Sequence, residues 1–215
     1  MALPPRPQRS TTALFTRYHH FTDLQIWGRG IDLERFNPTL RRSEAFRAKV
    51  GVGPRDVCLI WVGRLVPEKR PDIWRDVYLA LLAEGLPVKG LVVGVGPCQA
   101  MFDACPGVAV AGWLSGVDLA EAYASADLLL FPSDVETFGN VTLEALGSGI
   151  PAVVENLCSQ HLVTDGIEGF TVPHPLCIAP WTHILKHLER KSCASLLFSF
   201  CCCCCCCCCC CYAGP

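Results

Sequence analysis

Residues Val57 to Val62, VCLIWV, form an unbroken apolar run. An alternating strand can turn one face to water, but a continuous run belongs to a strand covered on both faces, as in a parallel sheet packed under helices. Further apolar pulses predict strands over Val88 to Gly94, Val108 to Val110, Asp127 to Phe131, Pro151 to Glu155 and Phe170 to Val172. Helical spacing fills the gaps. Ile73, Val77, Leu81 and Leu82 recur on one face of a helix predicted from Pro71 to Glu84, with Pro71 suited to the first turn and Gly85 to the stop. A second helix is expected over Asp118 to Ala126, and a short one over Ser43 to Val50, broken by Gly51-Val52-Gly53-Pro54. Strands alternating with helices over 215 residues predict one α/β domain, a doubly wound parallel sheet. Leu24 onward reads as a strand leading into a linker that ends at Pro38, and Trp181 to Lys191 as a last amphipathic helix.

The ends read differently from the middle. The formal net charge is -2 with Lys and Arg scattered, so no basic field exists for nucleic acid. Eleven of the 17 cysteines form the run Cys201 to Cys211; the other six, Cys58, Cys98, Cys105, Cys158, Cys177 and Cys193, contain no CxxC pair and read as reduced, mostly buried thiols of a cytosol-like compartment. The cysteine run reads first as a disordered or spurious tail, with a membrane-inserted or acylated tail and a soft-metal thiolate tract as alternatives. The first 22 residues carry Arg6, Arg9 and Arg17 with no acid. They read as the remnant of a truncated upstream segment in preference to an organelle transit peptide, and His19-His20 as solvated.

Chemistry concentrates in two stretches. In FPSDVETFGNVTLEALGSGIP, Glu136 lies just ahead of an expected helix start and Glu144 eight positions on, about two helical turns, so both carboxylates can share a side. Phe138-Gly139-Asn140 between them offers a close-approach glycine and the free N–H groups of a helix start, an anion cradle. Carboxylates for hydroxyls flanking amides for phosphate suit a nucleoside-diphosphate sugar. The plainer reading has Asp134 or Thr137 capping the helix and both glutamates solvated. The second stretch, Gly63-Arg64-Leu65-Val66-Pro67-Glu68-Lys69-Arg70, follows the first strand, where open α/β sheets bind ligands. Arg64 can fork onto phosphate oxygens and Lys69 supplies a point charge, although either alone reads as a solvated surface residue. Trp113 and Leu114 lie on a loop after the third strand. Trp113 can stack on a nucleobase, but packing is the favoured reading. Gly94-Val95-Gly96-Pro97 lacks the third glycine of GxGxxG and reads as a strand-to-helix turn, which weighs against a nicotinamide enzyme.

With these residues in hand, the chain resembles the C-terminal, donor-binding half of a GT-B retaining glycosyltransferase, in the family of sucrose-phosphate synthases and phosphatidylinositol mannosyltransferases. IWGRGIDLERFNP, VGRLVPEKRPD and FPSDVETFGNVTLEALGSGIP carry the resemblance in order, the last being the EX7E motif. It covers roughly Ile26 to Val172. It implies a Rossmann-like sheet forming a single half of a GT-B fold, divided as 1–25 a poorly ordered start, 26–173 the donor domain, 174–193 an extension and 194–215 the polycysteine tail. Carried over, Arg64 and Lys69 match the pair that grips the diphosphate, Gly63 the close-approach glycine, Glu136 the sugar contact and Glu144 the ribose contact. The amides of Phe138, Gly139 and Asn140, with Val141 beside them, match the phosphate-facing backbone. Retention without a required metal or other cofactor is implied, with a GDP- or UDP-sugar as donor and a lipid or glycan as acceptor. So are a place in the cytoplasm, at the cytosolic face of a membrane with peripheral association, or in a plastid or other organelle. The look is nearest to GDP-mannose-dependent α-mannosyltransferases and sulfoquinovosyltransferases. Two departures stand out. Asn156-Leu157-Cys158-Ser159-Gln160 replaces a Gly-Gly loop, an expectation of a narrower pocket, and the family's N-terminal acceptor domain is read as missing from this sequence, so this polypeptide alone is expected to transfer sugar poorly or not at all.

Overall fold

The computed structural model describes residues 30–40, 43–159, 161–172 and 178–183, without the side chains of residues 157 and 158. The expected strand near Leu24, His19-His20, Cys177, Cys193, most of the last helix and the cysteine run lie outside the described residues. Six parallel strands, β1 (Val57–Val62), β2 (Val88–Val93), β3 (Val108–Gly112), β4 (Leu128–Phe131), β5 (Ala152–Glu155) and β6 (Gly169–Val172), lie in the order β3-β2-β1-β4-β5-β6. Around them run helices α1 (Glu44–Lys49), α2 (Pro71–Ala83), α3 (Gly116–Ser125), α4 (Asn140–Gly147) and the single turn α5 (Asn156–Ser159), with 178–183 also helical. This is the doubly wound α/β sheet the apolar pulses predict. The order reverses between β1 and β4, so the loops after these two strands flank the crevice where the connections part to opposite sides, the usual ligand position in such sheets.

Burial follows the pattern. Cys58 to Val62 of β1 and all of β4 are buried, because each strand has a neighbour on both edges and helices above and below. Trp74 of α2 lies fully buried over the sheet, where a Cβ on Gly90 would come within 2.7 Å of its ring; glycine in the middle of β2 is what lets the helix settle. Trp74 also stacks on Tyr78 and meets Phe102 edge-on. Burial pushes the Cys58 thiol up to about 12, helped by the nearby Asp127 carboxylate. Cys58, Cys98 and Cys105 are free thiols, and Cys98 is only partly buried.

A buried guanidinium ties the crossovers together. Ser43 caps α1 by accepting from the Phe46 N–H at 3.2 Å, and Arg47 on the inner face donates to Ser125 O, Asp127 Oδ2, Gly53 O and Asp56 O at 2.8–3.0 Å. Asp127 Oδ2 accepts in addition from the Cys58 N–H at 2.9 Å, so α1, α3 and the heads of β1 and β4 share one polar knot. Element boundaries shift slightly from expectation. β3 runs on to Gly112, α3 starts at Gly116 ahead of Asp118, and Gly94-Val95-Gly96-Pro97 leads into a 3-10 turn, Gln99–Phe102, where a helix was expected. Among the described residues no helix is long and apolar enough to cross a membrane.

Candidate functional site

The loop after β1 is braced from below by the loop after β2. Gly63 N–H donates to Val93 O at 3.0 Å, Leu65 N–H to Val95 O at 3.0 Å, and Cys98 N–H back to Leu65 O at 3.0 Å. The backbones are so close that a Cβ on Gly94, itself at φ +139°, would sit 1.8 Å from Gly63 O, and one on Gly96 2.3 Å from Leu65 O. The two glycines of the GVGP turn thus hold Gly63-Arg64-Leu65 in place. Their spacing was visible in the sequence, but their partner was not.

From this braced loop Lys69, at the end of the 3-10 turn Pro67–Lys69, crosses to the loop after β4. Its Nζ donates to Glu136 Oε1 at 2.5 Å and to Val135 O at 2.7 Å, with the two charged side chains only 15% and 12% exposed. Arg70 reaches the same loop, its Nη1 lying 4.0 Å from Asp134 Oδ2. Arg64 does not join this cluster. It is 69% exposed and lies 3.7 Å from Glu68 Oε1, a solvated pair that leaves its guanidinium at the mouth of the crevice.

The loop after β4 ends in Gly139, which takes a left-handed conformation (φ +89°, ψ 43°) as the N-cap of α4 and has no side chain of its own to cap the helix. The N-cap position thus falls on Gly139, where the plainer reading placed Asp134 or Thr137, and Glu136 and Glu144 are both partly buried where that reading had them solvated; a helix start of this kind carries amides suited to an anion. Phe138 and Val141 are half-buried and Asn140 is exposed around it. Ser159, in the segment that replaces a Gly-Gly loop, and His161 and Leu162 just after it lie against this helix start. Leu162 and Ser159 lie 2.9 Å and 3.6 Å from where a Gly139 Cβ would stand, and His161 Nε2 pairs with Phe138 O at 3.0 Å.

Glu144, on the first full turns of α4, is half-buried and not solvated. Its Oε2 accepts from the Tyr123 hydroxyl at 2.9 Å. Burial raises its carboxyl above the ordinary value, only partly offset by that hydrogen bond. Tyr123 is pushed well up by its own burial and by the field of Glu144, and Glu136 adds in the same direction. Trp113 corrects the packing expectation, standing 73% exposed on the loop after β3, while Leu114 beside it packs on the core. Among the described residues no three His, Cys, Asp or Glu side chains gather as a metal-binding set. Arg70 and Tyr123 carried no sequence signal of their roles, since each is defined by partners on another crossover.

A parallel sheet whose strand order reverses between β1 and β4, with Lys69 and Glu136 paired across that switch point, defines a Rossmann-like α/β domain. More narrowly, residues 56–185 match the family described as glycosyl transferases group 1, and the chain belongs to that family. It is 37% identical over 136 residues to the sulfoquinovosyl transferase SQD2 of Arabidopsis thaliana, covering 60% of this chain and 25% of that protein. A GDP-mannose-dependent alpha-mannosyltransferase of Mycobacterium tuberculosis is 35% identical over 149 residues, 68% of this chain and 38% of its own. The chain therefore spans about a quarter to two fifths of these relatives' length. In fold it is similar to the glycosyltransferase WaaG (24% identity, TM-score 0.75, 88% of this chain and 53% of that one). It is similar also to Anabaena HepE solved with UDP-glucose (20% identity, TM-score 0.68, 82% and 51%).

Proposed function

We propose that this chain is the donor-binding domain of a glycosyltransferase and captures a nucleoside-diphosphate sugar in the crevice between the loops after β1 and β4. The observation that carries the reading is the contact of Lys69 with Glu136 and Val135 O across the switch point, beside the start of α4 at Gly139. The relatives named above include a GDP-mannose-dependent enzyme, and HepE was solved with UDP-glucose, which supports this ligand class.

In this reading Lys69 and Arg64 neutralise the diphosphate, one as a near-buried point charge and the other as a mobile fork arriving from the rim, while the amides of Phe138, Gly139, Asn140 and Val141 meet its oxygens. Such fixed donors stabilise the charge that grows on a departing diphosphate without reorganising. Glu136 accepts from sugar hydroxyls with the oxygen Lys69 leaves over, and Glu144 accepts from ribose hydroxyls with Tyr123 setting its direction. Trp113 and Leu114 border the place of the base. In a complete two-domain enzyme the hexosyl group passes with retention to a lipid or glycan acceptor, with mannose among the sugars the relatives suggest. A second reading, a non-catalytic half-domain that binds nucleotide sugar and docks on a partner, draws on the apolar side chains exposed around the same edge, Trp113, Val117, Val95 and Val135.

Calorimetric titration of the full chain with GDP, UDP, ADP and NAD tests the reading. Micromolar to millimolar binding of a nucleoside diphosphate, weakened about tenfold or more by Arg64→Ala or Lys69→Ala, is expected, each buried or bidentate phosphate contact being worth on the order of 1.5–3 kcal/mol. Preference for NAD, or no effect of either substitution, overturns it.

A further inference from the structure

Arg70 is the one non-glycine residue with a positive φ among the described residues (φ 54°, ψ 47°). A side chain is disfavoured there and glycine would take the position freely, so such a residue persists where its surroundings hold it. What holds it is visible. The guanidinium forks onto Asp72, Nε to Oδ1 at 3.1 Å and Nη2 to Oδ2 at 2.8 Å, while Nη1 faces Asp134 Oδ2 at 4.0 Å on the opposite loop. Burial acts to raise the Asp72 carboxyl, but the Arg70 hydrogen bond and charge outweigh it and leave the group below its ordinary value. The backbone of Arg70 ends the 3-10 turn Pro67–Lys69 and opens α2, so its dihedrals set where Lys69 departs. Adjacent cations on one loop therefore address three consecutive residues of the other, Asp134 through Arg70, and Val135 O and Glu136 through Lys69.

We propose that Arg70 is a positioning residue, anchored on Asp72, that ties the loop after β4 to the loop after β1 and so sets the spacing at which Lys69 and Glu136 stand ready for the donor diphosphate. The proposal rests on the donor-site reading and adds to it a residue that touches no ligand. Its competitor is a local pair of Arg70 with Asp72 that only steadies the start of α2.

Arg70→Gly separates the two, because it removes the guanidinium and relieves the backbone at once. In the full ligand-free chain, Tm stays at or above the parent's, while amide exchange across residues 133–138, followed by mass spectrometry, speeds up about threefold to fivefold, the scale of a partly exposed ion pair. Affinity for UDP or GDP falls by a similar factor. Arg70→Lys recovers part of both, and adding Asp134→Asn costs less in Arg70→Gly than it does in the parent, since the link between the two is already gone. Unchanged exchange across 133–138 in Arg70→Gly, or a parent that binds nucleoside diphosphate no better than Arg70→Gly does, overturns the proposal while the donor reading survives. A parent that binds no nucleoside diphosphate sinks the donor reading and the positioning role with it, although the exchange result still reports whether the two loops are tied.

Discussion

Replacing Gly94 by alanine tests how the fold holds its candidate site. The added Cβ would lie 1.8 Å from Gly63 O, with φ at +139° already outside the range that side chains accept. Unbonded carbon and oxygen keep about 3.3 Å apart, so the two loops would have to open by about 1.5 Å. That opening falls on the three backbone bonds that join the loops, Gly63 N–H to Val93 O, Leu65 N–H to Val95 O and Cys98 N–H to Leu65 O, each at 3.0 Å. Losing two or three of them in a buried setting costs about 3–6 kcal/mol, a large share of the 5–15 kcal/mol that holds a domain together. The same displacement moves Arg64 and, through the continuous loop, Lys69; a shift of about 1 Å in a positioning group is worth on the order of a hundredfold in function. Urea unfolding of Gly94→Ala should show the midpoint falling with an unchanged slope, and calorimetry should show nucleoside-diphosphate binding lost under conditions where the chain remains folded. A stability loss under about 1 kcal/mol would refute the claim that the second loop braces the first. Full loss of stability with normal binding in the folded fraction would refute the link from brace to site.

The polar knot under the sheet gives a second expectation. Arg47→Ala takes the guanidinium from the buried Asp127 carboxylate and from three backbone carbonyls, leaving Asp127 the Cys58 N–H but no opposite charge from Arg47, and should cost about 3–5 kcal/mol by denaturant unfolding, whereas Arg47→Met with Asp127→Asn, which removes both charges, should recover part of that loss. Equal losses in the two variants would place the effect in packing alone. Glu144 gives a third. Its folded-state carboxyl titrates above the ordinary value because burial disfavours the charge, so the folded chain holds this proton more tightly than the unfolded chain. The resulting stability is fully present below the unfolded pKa and is lost as pH rises through the folded one. Glu144→Gln, which still accepts from Tyr123, should raise Tm at pH 7, an advantage that shrinks toward pH 4, while nucleoside-diphosphate binding weakens. A gain that persists unchanged at pH 4 would argue against burial of charge as the cause.

The strands and helices were legible in the sequence because their causes are local. VCLIWV marks a strand covered on both faces whatever its neighbours, Pro71 and Gly85 bracket α2 by their own backbone limits, and Ser43 caps α1 within three residues. The motifs around Arg64, Lys69, Glu136 and Glu144 pointed to the family, which the match over residues 56–185 establishes. Where the local signal ended, expectation drifted. Trp113 has the side chain of a packing residue, yet it stands 73% exposed on the loop after β3. Asp134 and Thr137 have the side chains of helix caps, but Gly139 takes the N-cap position and Asp134 lies toward Arg70.

What the chain order alone determined, then, is the run of elements and the types of group each loop carries, since periodicity, capping and turn chemistry act over a few residues. The tertiary structure decided the reversal of strand order at β1 and β4, and with it every pairing that makes the crevice: Lys69 on Glu136, Tyr123 on Glu144, the Gly94 turn under Gly63, and the left-handed Arg70 between Asp72 and Asp134. Most of these contacts join residues on different crossovers. Their geometry depends on how whole layers stack to exclude water, a condition set by the packed chain as a whole and written at no single position in it.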